Sequence, residues 1–352
     1  MTTFFASIFV FGLLIVIHEL GHFMVAKLVG IKVYEFSLGF GPKLASIGKG
    51  ETAFNLRAVP LGGFVRMAGT DPKEELDEKD IERGFNRKTV GQRAGVIFAG
   101  PLMNFILAVL ILAATFALQG QPVPSSGTGV GEVLPGYPAQ EVGIVAGDKI
   151  VAIDNQPVDG WVNMVKVIND RPGETISVAV IRDGTQKEFE VKTVSNESGM
   201  GMIGIYPEED YAKIGVYQSI VLGVKWTVNV TVMILDFLSK MIFGQAPADV
   251  GGPVRVVSEI GKAAQVGFPF LLRLSAFLSI NLGLFNLLPI PALDGSRILF
   301  LGWEKVRGRP VDPVKENFIH FIGFGLLLLL MLIITYNDIL QIFMPGKLLP
   351  GQ

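Results

Sequence analysis

Cysteine is absent from the 352 residues, which excludes disulfide staples and thiolate metal ligands. Charge is sparse: Asp, Glu, Lys and Arg together make up 18%, and the net charge is −2, so nothing recommends nucleic acid as a partner. Histidine is scarcer still, with three in the whole chain. What abounds is apolar surface. Hydrophobic residues reach 50% and mean hydropathy is positive, a balance that points to a polytopic membrane protein. The first residues, "MTTFFASIFVFGLLIVIHELGHFMVAK", carry no basic leader and no small-residue cleavage site, and read as a retained span.

Four segments are apolar over the ~20 helical residues that a bilayer crossing needs: 3–29, 95–119, 269–302 (interrupted by "NLLPIP") and 317–344. A fifth, 217–243, carries Lys225, Asp236 and Lys240 and is expected to lie in the extracytoplasmic interface instead. Charge bias orients the chain. Residues 30–93 hold Lys32, Lys43, Lys49, Arg57, Arg66, Arg83, Arg87, Lys88 and Arg93, whereas 120–216 is dominated by acids. The positive-inside rule puts 30–93 and the Lys305–Lys315 loop in the cytoplasm, with both termini outside. Four spans follow.

Residues 127–195 are globular in composition. "VGEVL", "KIVAIDNQPV", "TISVAVIRDG" and "EFEVKTV" read as strands, and "GWVNMVKVI" as a short helix. The run "GVGEVLPGYPAQEVGIVAGDKIVAIDNQPV" resembles a PDZ domain. That resemblance implies strand addition of an extended peptide, its terminal carboxylate held by loop amides around Gly129, Val130, Gly131, Glu132 and Val133. A small sheet domain without a peptide ligand is the plainer alternative.

His18 and His22 stand four apart in "LLIVIHELGHFMVAK", so on a helix both imidazoles leave one face and can share a cation. Glu19 is placed to reach a water on that cation as general base. Each charged group at mid-membrane costs about 3 kcal/mol on insertion scales, so three together call for a shared compensation, and zinc suits imidazole nitrogens. A hydrolytic zinc site needs a third protein ligand. His320 reads as a packing or interfacial residue. Asp294 is the better candidate: it follows Pro289 and Pro291, which break the third span, and it falls at the depth of His18 when that span runs inward.

With these residues in place the chain resembles the site-2 protease family of intramembrane zinc proteases, in its bacterial RseP-type branch. The resemblance runs through "HELGH", "FSLGFGPKL", "AVPLGGFVRMAG", "FAGPLMNFILA", "GGPVRV" and "NLLPIPALDG". It implies an α-helical polytopic membrane protein of four transmembrane helices, with a membrane-associated β-hairpin and one inserted extracytoplasmic α+β PDZ domain. The implied divisions are 1–120 and 269–352 for the protease core, 121–205 for the PDZ domain and 206–268 for a helical interfacial region. Zn2+ would be held by His18, His22 and Asp294, with Glu19 as catalytic base. Substrate would meet Asn281, Asn286, Pro289, Pro291, Gly39, Gly62 and Gly63, the hairpin of 31–67 offering an edge to an unwound helix. The implied substrate is a single-span membrane protein, such as an anti-sigma factor trimmed by an earlier cleavage, or a signal-peptide remnant, cut in the inner membrane near its cytoplasmic side. Some members carry two tandem PDZ domains; this chain has room for one. Two other readings stand beside it: a membrane zinc protease of the prenyl-protein or heat-shock type, with Glu259 or Glu304 as third ligand, and a PDZ-bearing scaffold. Residues 71–93 read as a solvated juxtamembrane helix, and Asn104 as a residue bonding a neighbouring span or the hairpin.

Overall fold

Helix α1 (Thr2–Leu28) buries one stripe, Ala6, Ser7, Val10, Leu14, His18, Gly21, His22 and Ala26, at the three-and-four spacing of a helix face. The computed structural model describes residues 1–48, 50–70, 74–124, 127–196, 199–245 and 251–343. They form two compact units: Met1–Phe116 with the chain from Val216 onward, and Ala117–Gly215.

After α1 the chain forms β1 (Val33–Ile47) and β2 (Ala53–Met67). The expected hairpin is more elaborate than the alternating pattern indicated. Both strands bend, and Phe36 pairs with Phe54 on one side and Val65 on the other, so four antiparallel segments result. The bends occur where glycine takes φ values closed to most residues, at Gly39 (+87°) and Gly41 (+82°). Residues 63–67 pair on one side only among the described residues. A buried polar knot stiffens the sheet: Arg57 donates to Glu35 at 2.5 Å and to the Gly41 carbonyl at 2.7 Å, and Ser37 donates to Glu35. Burial raises the Glu35 pKa, but hydrogen bonds from Ser37, Arg57 and Asn55 outweigh it and hold the carboxyl at about 2.

The continuous helix expected over 71–93 is not formed. Residues 71–73 lie outside the described set, and 78–83 and 85–87 make two short 3-10 turns separated by Gly84. Tertiary bonds take the place of helical ones: Lys32 donates to the buried Asp80 at 2.5 Å and the Phe85 N–H to the Ala68 carbonyl. Helix α2 (Val90–Gln119) then runs antiparallel to α1, with Gly21 against Ala99 and Gly100 against His22.

In the inserted unit, β3 (Gln121–Pro124), β4 (Val130–Val133), α3 (Pro138–Glu141), β5 (Lys149–Ile153), β6 (Gln156–Pro157), α4 (Trp161–Asn169), β7 (Thr175–Arg182) and β8 (Thr185–Lys192) follow in order. They realise the expected strands and short helix. β5 to β8 make one sheet of order β6-β5-β7-β8. Asp183 and Gly184, both at positive φ, form the two-residue Asp-Gly turn that suits a twisted hairpin. The core is Val130, Ala139, Ile144, Ile150, Ile153, Met164, Ile168, Ile176, Val178, Val180, Val191 and Ile203. The unit is longer than the 121–205 expected. After β9 (Val194–Ser195) and β10 (Gly201–Met202), β11 (Ile205–Pro207) pairs with β4, and β12 (Glu209–Ala212) with β3, so 206–215 belong here rather than to the helical region.

Asp148, fully buried, accepts from Arg182 at 2.6 and 2.7 Å and from the Val145 N–H, and the Arg182 guanidinium holds its carboxyl below the usual range. A carboxyl lowered on folding adds stability above its unfolded pKa of about 4 and loses it as pH falls through the folded value. Urea unfolding of this unit, followed by Trp161 in a chain whose two other tryptophans are phenylalanine, is therefore expected to weaken below about pH 4. Asp148→Asn should be weaker at neutral pH and flat over that range. An unchanged acid slope in the variant would assign the transition to other groups.

Beyond the inserted unit come α5 (Val216–Ile242), α6 (Pro253–Val266), α7 (Phe268–Leu287), α8 (Asp294–Arg307) and α9 (Pro313–Phe343). Among the described residues five helices are long and apolar enough to cross a membrane: α1, α2, α5, α7 and α9. Four of them are the spans expected from the sequence, and the fifth, α5, is the 217–243 segment expected to lie in the interface. α5 buries a stripe of Ser219, Gly223, Thr227, Val230 and Ile234, with Gly223 against the Val109 carbonyl of α2 and the helix also packed on α7, and its outer face is apolar. Asp236 and Lys240 pair at 2.7 Å, which moderates the polarity that argued against it. On α7, Ser279 donates to the Asn104 carbonyl and Gly283 abuts that of Pro101, so α7 is antiparallel to α2 and parallel to α1. Buried Asp338, near the end of α9, accepts from the Gly252 and Arg255 N–H groups and caps α6.

Candidate metal centre

Two elements bring three ligand atoms together. His18 and His22 project from the buried stripe of α1, and Asp294 opens α8 directly after the break at 288–293. The two Nε2 atoms are 3.2 Å apart, and Asp294 Oδ2 lies 3.2 Å from His18 and 3.3 Å from His22. Ligand atoms on a tetrahedral zinc, at about 2.0–2.1 Å each, stand about 3.3 Å from one another. The triangle has that size.

The ring protons agree. His22 Nδ1 donates to the Val96 carbonyl at 2.8 Å, which leaves the Nε2 lone pair facing Asp294. The Asn104 amide meets His18 Nδ1 at 3.1 Å, and its buried Oδ1 has no partner as oriented. Turned so that the oxygen faces the ring, it accepts the Nδ1 proton and frees His18 Nε2 as well. Asp294 Oδ2 is itself buried with no hydrogen-bond donor. Two imidazole lone pairs and a carboxylate oxygen in mutual contact, in a dry place, repel unless a cation joins them. The donor set, two nitrogens and one oxygen without thiolate, suits zinc with a position left open.

Glu19 stands on the flank of α1 next to the sheet. A Cβ on Gly63 would come within 3.0 Å of its Cγ and within 3.0 Å of the Ser37 carbonyl, so the 63–67 strand approaches the glutamate by bare backbone. The other expected substrate residues are placed differently. Gly62 lies under the Phe40 ring, and Gly39 against the Arg57 and Val59 carbonyls inside its own sheet, where its role is conformational. Asn281 donates back to the Phe277 carbonyl. Pro289 is exposed in the break, Pro291 packs on Gly323, and Asn286 is half-buried near the end of α7.

The two glutamates considered as third ligands have other partners. Glu304 pairs with Arg93 at 2.5 Å and Glu259 with Lys262 at 2.8 Å. Among the described residues one metal-competent group exists, His18 with His22 and Asp294. Asn104 is the residue whose part the sequence left open, since either a span or the hairpin could have been its partner. The expected peptide groove at Gly129–Val133 requires correction. Val130 is bonded to Gly147 and Asp148 on one side, and 129–134 to 204–208 on the other, so the edge that β4 would offer a peptide is already paired with β11. Its neighbour β11 pairs on one side only among the described residues.

The model of peptidase family M50 matches residues 6–330. The chain belongs to that family. Relatives agree over nearly their whole length. The zinc metalloprotease RasP of Geobacillus kaustophilus is 36% identical, covering 96% of this chain and 97% of that protein. The regulator of sigma-W protease RasP of Bacillus subtilis is 35% identical, covering 98% and 100%. A probable protease, eep, of Enterococcus faecalis is 31% identical, covering 97% and 100%. The PDZ domain of the SdrC-like protein from Listeria monocytogenes matches 24% of this chain and 88% of that one, at 25% identity and TM-score 0.22. This protein is thus a zinc metalloprotease of the intramembrane site-2 type and a multi-pass bacterial membrane protein, so the scaffold reading and the prenyl-protein or heat-shock family reading fall.

Proposed function

We propose that this protease cuts a single-span membrane protein within or near the bilayer, after an earlier cleavage has shortened it, with an anti-sigma factor as the leading substrate class. One observation carries the reading: three ligand atoms 3.2–3.3 Å apart lie beside a glutamate that a sheet strand approaches through Gly63. His18, His22 and Asp294 would hold the metal. The metal, when bound, would lower the pKa of a water and polarise the scissile carbonyl. Glu19 takes the water's proton and returns it to the leaving amine. A helical substrate keeps its carbonyls in its own hydrogen bonds, so it must unwind. The open edge of 63–67 offers the released backbone a partner strand and sets it against Glu19. The name of the Bacillus subtilis relative, a regulator of sigma-W protease, supports the substrate class.

We place α1 and α7 running inward, α2 and α9 outward. Because α7 is parallel to α1, an even number of crossings separates α2 from α7, so α5 lies beside α2 without a net crossing. That puts the inserted unit and the termini outside and the basic 30–89 and 305–315 segments in the cytoplasm. A newly cut peptide end would then add to the edge of β11 rather than β4.

In proteoliposomes, a single-span model substrate is expected to be cut inside its span, with cleavage stopped by a zinc chelator and restored by zinc. Cleavage confined to soluble loops, or insensitive to the chelator, would overturn the reading.

A further inference from the structure

The break before Asp294 is held by a residue that the catalytic reading does not use. Within 288–293 the Ile290 N–H donates to Leu288 and the Leu293 N–H to Ile290. Ala292 sits at φ +79°, a left-handed conformation that a residue with a Cβ adopts only under constraint. Its N–H leaves the loop and donates to His320 Nδ1, on α9, at 2.9 Å. One turn further along α9 is Gly323, where a Cβ would overlap the Pro291 side chain and carbonyl. His320 and Gly323, three apart on one helix face, thus form a cradle for Pro291 and Ala292. From the other side Gly295 presses on the carbonyls of Leu287 and Leu288. Asp294 has little freedom between these two contacts.

A packing role does not account for the imidazole. Because Nδ1 accepts, the ring proton is on Nε2. That atom is buried with no hydrogen-bond partner; Glu316 Oε1 is 3.8 Å away and the Phe300 ring stands edge-on at 5.8 Å. An apolar ring would fill the space without leaving a buried donor unpaired. We infer that His320 is a positioning residue: its Nδ1 holds Ala292 in the left-handed conformation that aims Asp294 at His18 and His22. The inference rests on Asp294 being a zinc ligand.

The test measures zinc affinity of the full chain by competition with a chromophoric chelator, beside the melting temperature of the metal-free protein. His320→Phe keeps the ring and removes the acceptor; it is expected to bind zinc at least about tenfold more weakly, at an unchanged metal-free melting temperature. His320→Asn, whose Oδ1 falls near the Nδ1 position, should bind as the parent does. Wild-type affinity in His320→Phe, or equal losses in both variants, would overturn the inference. If His320→Phe does not fold, Gly323→Ala carries the test, since displacing Pro291 should weaken zinc in the same way and an unchanged affinity overturns the cradle. Asp294→Asn separates the two claims. Retained zinc there removes the ligand reading and this inference with it; lost zinc there, with zinc kept in His320→Phe, removes this inference alone.

Discussion

Glu19→Gln is expected to lower kcat by about 10²–10⁴-fold with zinc content unchanged. Glutamine has the same shape as glutamate and still accepts hydrogen bonds, but it cannot take a proton. His18, His22 and Asp294 are untouched, and the approach of Gly63 to the Cγ is the same for either residue. Single-turnover cleavage in proteoliposomes, with metal analysis of the same sample, separates the possibilities. Full activity would remove Glu19 as the base. A fall in zinc content would show that the carboxylate supports the ligand set instead.

Gly100→Ala is expected to be nearly as damaging, by a different route. A Cβ there lands on the His22 imidazole, at the Nε2 that faces Asp294. Retreat of α2 is opposed because it would break the hydrogen bonds that the Val96 carbonyl and Asn104 make to the two imidazoles. The ring must turn or the helices must part. Overpacking of this kind costs about 1–3 kcal/mol, and a displaced ligand lowers metal affinity by about 10–100-fold. Gly12→Ala and Gly95→Ala, which meet nothing within 4 Å, serve as controls and should bind zinc normally. Equal zinc affinity in Gly100→Ala and the controls would mean that the ring has room the structure does not provide.

Much of the site is legible in the sequence. His18 and His22 announce themselves because four-residue spacing on a helix is a geometric statement, and because ionisable groups in an apolar run need a reason. Asp294 follows from a proline-broken span and a depth argument. The strands at 33–40 and 53–59 follow from alternation. What fails does so where local pattern and tertiary contact disagree. The mixed charges of 71–93 read as helix, but Asp80 is taken by Lys32 and the backbone of Phe85 by Ala68. The peptide edge falls to β4 in the sequence because strand pairing partners far along the chain, at 204–208, leave no mark on residues 129–133.

By itself the sequence determined the chemistry: which atoms are available, with no thiolate to compete, and which two lie on one helix face. It also determined that a membrane segment must break near Pro289 and Pro291. Only the tertiary structure decided how those atoms are held. Asn104 and the Val96 carbonyl orient two imidazoles from a neighbouring helix, Gly63 brings a strand to Glu19, and His320 bonds Ala292 from 28 residues away. The reason is physical. Spacing along one element is set by covalent geometry, but hydrogen bonds between elements depend on how closely backbones approach, and here glycines at 21, 63, 100 and 323 allow that approach.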